Sequence, residues 1–157
     1  MVKSLSLYGL VSILLMACAQ SPTSNVEPTE DYMIFGSYSG ECIGTCARFL
    51  KIQGDDVFVS SDDDDSFWFE NRIEFKKKPR TESNNEHIKA VADRFPQELL
   101  LEPSREFGEP DSWDQGGIYI EVMIEGDRKV WKIDTAPHED IPAYLNDYLD
   151  FIASKPL

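Results

Sequence analysis

The sequence is poor in the residues and motifs that carry most enzymatic and cofactor chemistry. It has three cysteines and two histidines among 157 residues. It contains neither C-x-x-C nor C-x-x-C-H, which speaks against a thioredoxin-type oxidoreductase and against covalently attached haem. It also lacks H-E-x-x-H, G-x-S-x-G, a phosphate-binding glycine loop and a dinucleotide fingerprint. The sequence therefore predicts no cofactor and favours a protein that is not an enzyme.

Long hydrophobic runs and positive charge are scarce as well. The apolar run from Leu5 to Met16 has 12 residues, whereas about 20 are needed to span a bilayer. The chain has 15 basic and 29 acidic residues, a formal charge of −14. Because nucleic acid and anionic head groups repel such a protein, we expect no nucleic-acid partner and no membrane binding by charge.

The first 18 residues have the organisation of a secretory signal. Lys3 supplies the positive region, Leu5 to Met16 the apolar region, and Ala17 the small residue before a cleavage site. Leu15-Met16-Ala17-Cys18 resembles the lipobox of bacterial lipoproteins. The resemblance implies that Cys18 is diacylated on sulfur, becomes the mature N-terminus and is acylated on its amine. The alternative is an ordinary cleaved signal with a cysteine nearby.

Three segments and a location follow from this signal. Residues 1–17 are the predicted signal peptide, residues 18–31 a flexible tether rich in Pro, Ser, Thr and Glu, and residues 32–157 one globular domain. Cleavage would remove one lysine and no acid, for a charge of −15. Ala19 is not the aspartate that retains many lipoproteins at the inner membrane. We therefore expect an outer-membrane anchor facing the periplasm.

Two cysteines flank a tight turn in the folded part. Cys42 and Cys46 lie in Gly40-Glu41-Cys42-Ile43-Gly44-Thr45-Cys46. In an oxidising compartment, with Cys18 lipidated, we expect a Cys42–Cys46 disulfide. The C-x-x-x-C spacing also occurs in copper-binding thioredoxin-like assembly proteins, with His138 or His87 as a distant ligand, so copper or thiol redox chemistry is an alternative. That fold needs a helix directly after the cysteines, whereas Ala47 to Ser60 reads as a hairpin.

The predicted fold class is α+β, with a mainly antiparallel sheet of five to six strands and two helices packed on one face. The β-structure comprises an edge strand at Tyr32 to Tyr38, a hairpin turning at Gly54-Asp55, an alternating strand from Phe67 to Lys76, and a hairpin turning at Gly126-Asp127. The helices are Ser83 to Phe95, with a Ser83/Glu86 capping box, and Asp140 to Ser154, with Asp140 as N-cap. Pro96 to Leu101 is a further helical turn, and Glu102 to Gly116 is irregular.

The region from Gly40 through Val57 resembles the opening of an uncharacterised domain of bacterial envelope lipoproteins, with the pattern G-x-C-x-G-x-C-P-x-Y. Gly40, Cys42, Gly44 and Cys46 match it, while Ala47 and Phe49 replace the proline and the tyrosine. The resemblance implies the fold and the envelope location and carries no known activity.

Two groups of residues could bind a metal, but the sequence favours a role without metal for each. Asp62 to Asp65 offers carboxylates for a hard cation but lacks the glycine and glutamate of an EF-hand, so a solvated turn is favoured. His87 and His138 lack paired metal spacing, which favours surface or capping roles.

One irregular loop, Arg105 to Gly116, mixes aromatic and acidic residues. Phe107, Asp111, Trp113 and Asp114 would let it bind a partner, with the aromatics as anchors and the acids selecting a basic envelope protein or a small ligand. Alternatively, Trp113 folds back over the sheet edge. The leading hypothesis is a non-enzymatic, lipid-anchored binding or assembly module, followed by a metal or redox accessory protein and by an enzyme of unrecognised type.

Overall fold

A six-stranded sheet runs through the described part of the chain. The computed structural model describes residues 30–61, 67–68, 71–82 and 85–154. The strands are β1 (Tyr32–Tyr38), β2 (Ala47–Gln53), β3 (Asp56–Val59), β4 (Arg105–Phe107), β5 (Gly117–Ile124) and β6 (Asp127–Asp134). The helices are α1 (Asn85–Asp93) and α2 (Ala143–Ala153), and a 3₁₀ helix spans Gln97–Leu101. The predicted α+β class is confirmed.

The strand order is β3-β2-β1-β5-β6-β4, and only the β4–β6 pair is parallel. The strand β1 therefore lies inside the sheet, between β2 and β5, and its prediction as an edge strand was wrong. Both of its faces are covered, since Met33 and Phe35 are buried on one side and Ile34 and Tyr38 on the other. A strand that is buried on both faces reads as a continuous apolar run.

The first hairpin has the predicted register. Gln53 faces Asp56, Ile52 faces Val57, and the turn lies at Gly54-Asp55. Gly54 has a φ of 56°, which a residue with a Cβ rarely adopts. The two-residue turn therefore fixes how β2 and β3 pair.

The second hairpin turns one residue earlier than predicted. Its turn is Glu125-Gly126, with φ values of 52° and 85°, the left-handed pair that a type I′ turn needs. Ile120 consequently faces Trp131, and Ile118 faces Ile133. The predicted set of side chains on each face is correct, because moving the register by two residues keeps every side chain on its face. Glu121 faces Val130, whereas a turn at Gly126-Asp127 would have paired it with Lys132.

Both helices pack on the same face of the sheet, as predicted. Their apolar stripes join the inward side chains of the strands in one core. Its fully buried members include Phe35, Leu50, Val57, Ile88, Val91, Leu99, Phe107, Ile120, Trp131, Ile133 and Leu145. Tyr148 closes the contact between the helices, because its hydroxyl donates a 3.0 Å hydrogen bond to the Val91 carbonyl.

The second face of the sheet is covered by aromatic rings. Phe67 packs against Phe49, with 4.8 Å between the ring centroids, and also contacts Tyr38 and Tyr119. The predicted strand from Phe67 to Lys76 was wrong: Phe67 and Trp68 are helical, and Phe75 forms only an isolated bridge. Of its apolar residues that the structure describes, Phe67, Ile73 and Phe75 pack on the second face of the sheet.

The helix ends differ from the predicted ones. Helix α1 begins at Asn85, and Ser83 of the proposed capping box lies outside the described residues. Helix α2 begins at Ala143, with Pro142 at the N-cap, so Asp140 is not the cap. The Asp140 carboxylate instead accepts hydrogen bonds from the Gly108 backbone N–H and from Arg105. The predicted turn of helix after Pro96 is the 3₁₀ helix.

Candidate functional site

The residues for which a binding role was predicted lie at the end of β4 and in the loop that follows it. Their two aromatic side chains differ in exposure. Phe107 is fully buried, because it is the last residue of β4 and pairs with Ile133 of β6. It is therefore not a surface anchor, and this part of the prediction is corrected. Trp113 is 82% exposed. The alternative that it folds back over the sheet edge is also wrong.

Asp111 is committed to holding the chain in place. One of its carboxylate oxygens accepts a 2.7 Å hydrogen bond from the Gly40 N–H, and the other accepts a 3.1 Å bond from the Gly116 N–H. Its own N–H donates to the Gly116 carbonyl. Asp111 thus closes its own loop and joins it to the turn that contains the two cysteines.

Gln115 and Asp134 fix the remainder of the loop. The Gln115 amide oxygen accepts a 2.7 Å bond from the Trp113 N–H, and its amide nitrogen donates to the carbonyl of Glu109 and to Asp134. Asp134 is only 5% exposed and also accepts from the N–H groups of Glu109 and Ala136. The backbone on both sides of Trp113 is therefore held by hydrogen bonds.

These contacts keep Asp134 ionised. Burial alone would raise the pKa of its carboxyl, but hydrogen bonds from Ala136, Gln115 and Glu109 outweigh burial and lower that pKa. A carboxyl with a lowered pKa is not suited to donate protons at neutral pH, where a general acid needs a raised pKa. This chemistry fits a buried brace better than a catalytic acid.

Two residues beside Trp113 have left-handed backbone. The φ values are 62° at Asp111 and 60° at Asp114. The conformation costs of order 1 kcal/mol for a residue with a Cβ, although aspartate tolerates it better than most. The hydrogen bonds of the loop hold this backbone, and Asp114 itself is exposed.

The cysteine turn lies beside this loop. The Cα atoms of Cys42 and Cys46 are 5.6 Å apart and their sulfurs are at disulfide distance, as predicted for a bridge. Ser39 donates a 2.8 Å backbone bond to the Cys46 carbonyl and closes the turn at its base. Ile43 projects from its apex and is fully exposed. Sequence reasoning did not single out Ile43, because nothing local indicates where an isolated apolar residue in a turn will point.

The described residues contain no group of three or more His, Cys, Asp and Glu side chains that converges as a metal site would. Asp62 to Asp65 lie outside them. His87 is exposed on α1, and His138 is exposed and accepts a 3.1 Å hydrogen bond on Nδ1 from the Asp140 N–H. Strand β2 follows Cys46 directly. These positions do not bring either histidine into a ligand set with the two cysteines.

A second polar cluster is buried on the sheet face opposite the helices. The Glu121 carboxylate is 3% exposed and accepts two 2.8 Å bonds from Arg128. Tyr32 and Tyr119 also donate to it. Burial and the Glu121 carboxylate together raise the pKa of Tyr32 to about 12. Every oxygen of Glu121 therefore has partners within the protein.

A cleft of about 370 Å³ lies between α2 and the end of β6. Its polar lining includes Asp134, Asn146 and Asp150, and its floor includes Ile118 and Leu149. Asp134 is already occupied by three N–H donors, so the cleft lacks a free buried polar group that would orient a substrate. It does not supply the constellation that an enzyme needs.

Cys18 and the rest of residues 1–29 lie outside the described part of the chain. In the part that is described, no helix combines the length and the hydrophobicity of a membrane span. The predicted anchor at Cys18 accordingly stays a prediction from the sequence.

No known protein family matches this sequence, and the comparison with curated proteins gave no match.

Proposed function

We propose that this protein is a lipid-anchored envelope protein whose folded domain is a non-enzymatic binding or assembly module. We further propose that it binds its partner through residues 108–116, the Trp113 loop. The anchor would be the lipidated Cys18 of the lipobox-like segment. The acidic chain, with a formal charge of −14, has no electrostatic attraction to an anionic bilayer. Covalent acyl chains would supply that attachment, at about 0.8 kcal/mol for each CH₂ that enters the membrane.

The observation that carries the binding role is the exposure of Trp113 on a loop that is otherwise tightly held. Its indole is 82% exposed, while Asp111, Gln115 and Asp134 fix the backbone around it. A large aromatic side chain on a rigid loop binds at a low entropic cost, because little has to be ordered on association. Tryptophan is also the residue type most enriched among binding hot spots.

The charge of the loop indicates the kind of partner. Residues 108–116 contain three acidic residues and neither lysine nor arginine. The side chains of Glu109 and Asp114 are exposed. Because like charges repel across an interface, the partner surface should be basic around an apolar pocket that accepts the indole.

The anchor can be tested by growth with radiolabelled palmitate. Label should enter the wild-type chain and be lost from Cys18→Ala, while Cys42→Ala keeps it. Equal labelling of wild type and Cys18→Ala would refute the lipoprotein assignment.

Binding can be tested by crosslinking cells that make the tagged full-length chain and measuring the enriched proteins by quantitative mass spectrometry. One protein should be lost from the Trp113→Ala and Asp114→Asn double variant, in which asparagine suits the left-handed backbone of position 114. It should be kept by Leu101→Ala, because Leu101 is 87% exposed on the 3₁₀ helix. The melting temperature of both variants should equal that of the wild type. A partner that is kept by the double variant would contradict the proposed role of the loop.

A further inference from the structure

The cysteine turn, residues 39–46, and the Trp113 loop, residues 108–116, are exposed at one end of strands β1 and β5. Tyr38, the last residue of β1, pairs with Gly117, the first residue of β5. The cysteine turn leaves β1 at this point, and the Trp113 loop enters β5 there. The start of the cysteine turn therefore lies beside the end of the Trp113 loop.

Asp111 fastens the two loops to each other. Its Oδ2 accepts the 2.7 Å hydrogen bond from Gly40, at the start of the cysteine turn, while Oδ1 holds Gly116 at the end of its own loop. A side chain at position 40 would displace this carboxylate, since a Cβ there would lie 2.7 Å from the same oxygen. The glycine is needed for this close approach, and the loops are held as one unit.

Each loop presents one large apolar side chain to solvent. Ile43 is fully exposed and Trp113 is 82% exposed. Leu101, which is comparably exposed, lies on the 3₁₀ helix after α1. The disulfide closes a ring of five residues around Ile43, and this ring limits how far the apex of the turn can move.

The charged residues within the two loops have one sign. Residues 39–46 contain Glu41, and residues 108–116 contain Glu109 and Asp114, all with exposed side chains. Neither segment contains a lysine or an arginine. A bilayer with anionic lipids would be repelled by this rim, whereas a basic protein surface would be attracted.

We infer that the cysteine turn and the Trp113 loop form one docking surface, with Ile43 and Trp113 as paired apolar anchors, for a basic protein segment that carries apolar side chains between its lysines and arginines. The inference rests on the proposed function and extends it. It gives the Cys42–Cys46 bridge a role in binding, because the bridge holds the Ile43 anchor in position.

The test is photocrosslinking in the bacterium that makes the protein, with the full-length chain and p-benzoylphenylalanine in place of Ile43, Trp113 or Leu101. Positions 43 and 113 should crosslink to the same protein, on peptides rich in lysine and arginine. Position 101, the control, should not crosslink to that protein.

Other crosslinking outcomes would overturn the inference in distinguishable ways. If position 113 finds a basic partner and position 43 does not, the Trp113 loop binds alone and the proposed function survives. Crosslinks from both positions to lipid would indicate membrane insertion, and crosslinks to a second copy of the chain would indicate self-association. If position 113 finds no partner, the proposed function and the inference fail together.

The crosslinked basic peptide, once synthesised and labelled, is the probe for a quantitative measurement by fluorescence anisotropy. Ile43→Ser should weaken its binding to the full-length chain at least about tenfold, with Leu101→Ser unchanged. The Cys42→Ser and Cys46→Ser double variant should weaken binding several-fold, because Ile43 is then held less firmly while Trp113 still contacts the peptide. Ile43 is fully exposed in the part of the chain that the structure describes, so an unchanged affinity of Ile43→Ser would refute its role without ambiguity from unfolding.

Discussion

Replacement of Glu121 by glutamine tests whether the buried network on the second sheet face stabilises the fold. Glu121 is 3% exposed and accepts hydrogen bonds from Arg128, Tyr32 and Tyr119. Glutamine keeps the size of the side chain and one acceptor oxygen. It removes the charge on which the contact with Arg128 depends, and it places an amide group where two donors now point at an oxygen.

The size of the effect follows from the exposure of the two partners. Removing one member of a fully buried ion pair costs about 3–5 kcal/mol. The Arg128 side chain is 47% exposed, however, so water can solvate its guanidinium group once Glu121 is neutral. Hydrogen bonds to a charged group contribute about 1.5–3 kcal/mol. We therefore expect the free energy of unfolding to fall by about 2 kcal/mol.

Urea denaturation followed by circular dichroism measures this loss as a lower midpoint at an unchanged slope. Asp147→Asn is the matched control, since Asp147 is an exposed acid on α2, and it should change the free energy by less than about 0.5 kcal/mol. A change for Glu121→Gln no larger than that of the control would refute the reasoning.

The pH dependence gives an independent check with a fixed sign. Burial alone would raise the pKa of Glu121, but the bonds from Arg128, Tyr119 and Tyr32 outweigh burial and lower that pKa. A carboxyl with a lowered folded pKa stabilises the protein above its unfolded pKa, near 4.5, and this stabilisation is lost as the pH falls through the folded pKa. The wild type and Glu121→Gln should therefore differ at pH 7 and converge in acid. A difference that grows in acid would contradict this sign.

Three further substitutions probe other parts of the fold. Gly36→Ala should cost more than about 3 kcal/mol in unfolding free energy, because a Cβ there would overlap the backbone of β2, whereas the exposed neighbour Ser37→Ala should be neutral by the same urea titration. Replacing Cys42 and Cys46 by serine should cost no more than about 2 kcal/mol, the loop-entropy limit for five residues, and a loss above about 4 kcal/mol would show that the turn belongs to the cooperative core. Trp131→Phe should cost about 1–3 kcal/mol, since the buried indole loses the hydrogen bond from its N–H to the Pro103 carbonyl, and an unchanged urea midpoint would contradict that account.

The local sequence was sufficient to predict strand pairing where the turn residues fix the register of a hairpin. The register of the first hairpin follows from Gly54-Asp55, because glycine occupies the one turn position with positive φ. The second hairpin was misjudged by one residue at its turn because Glu125 adopts positive φ, which is uncommon for any residue with a Cβ. The apolar alternation nevertheless identified both faces correctly.

The order of the strands depends on contacts that no local pattern records. Tyr32 to Tyr38 is apolar over most of its length, which suits a strand covered on both faces as well as a short edge strand. Its central place is set by pairing with β5, 79 to 91 positions away in the chain. The segment from Phe67 to Lys76 was mistaken for a strand for a related reason. Its residues Phe67, Ile73 and Phe75 cover a sheet face that other strands form.

The candidate site shows the same division between residue type and residue role. Composition was enough to select Asp111, Trp113 and Asp114 as unusual in a loop, yet it could not show that Asp111 would bond Gly40 across 71 positions. This bond makes Asp111 a brace between its own loop and the turn that contains Ile43. An exposed apolar side chain is common on protein surfaces. Here two such side chains stand on loops that the Asp111 carboxylate joins, and a disulfide closes one of the loops. This arrangement is more specific than either residue alone, and it supports the proposed binding role.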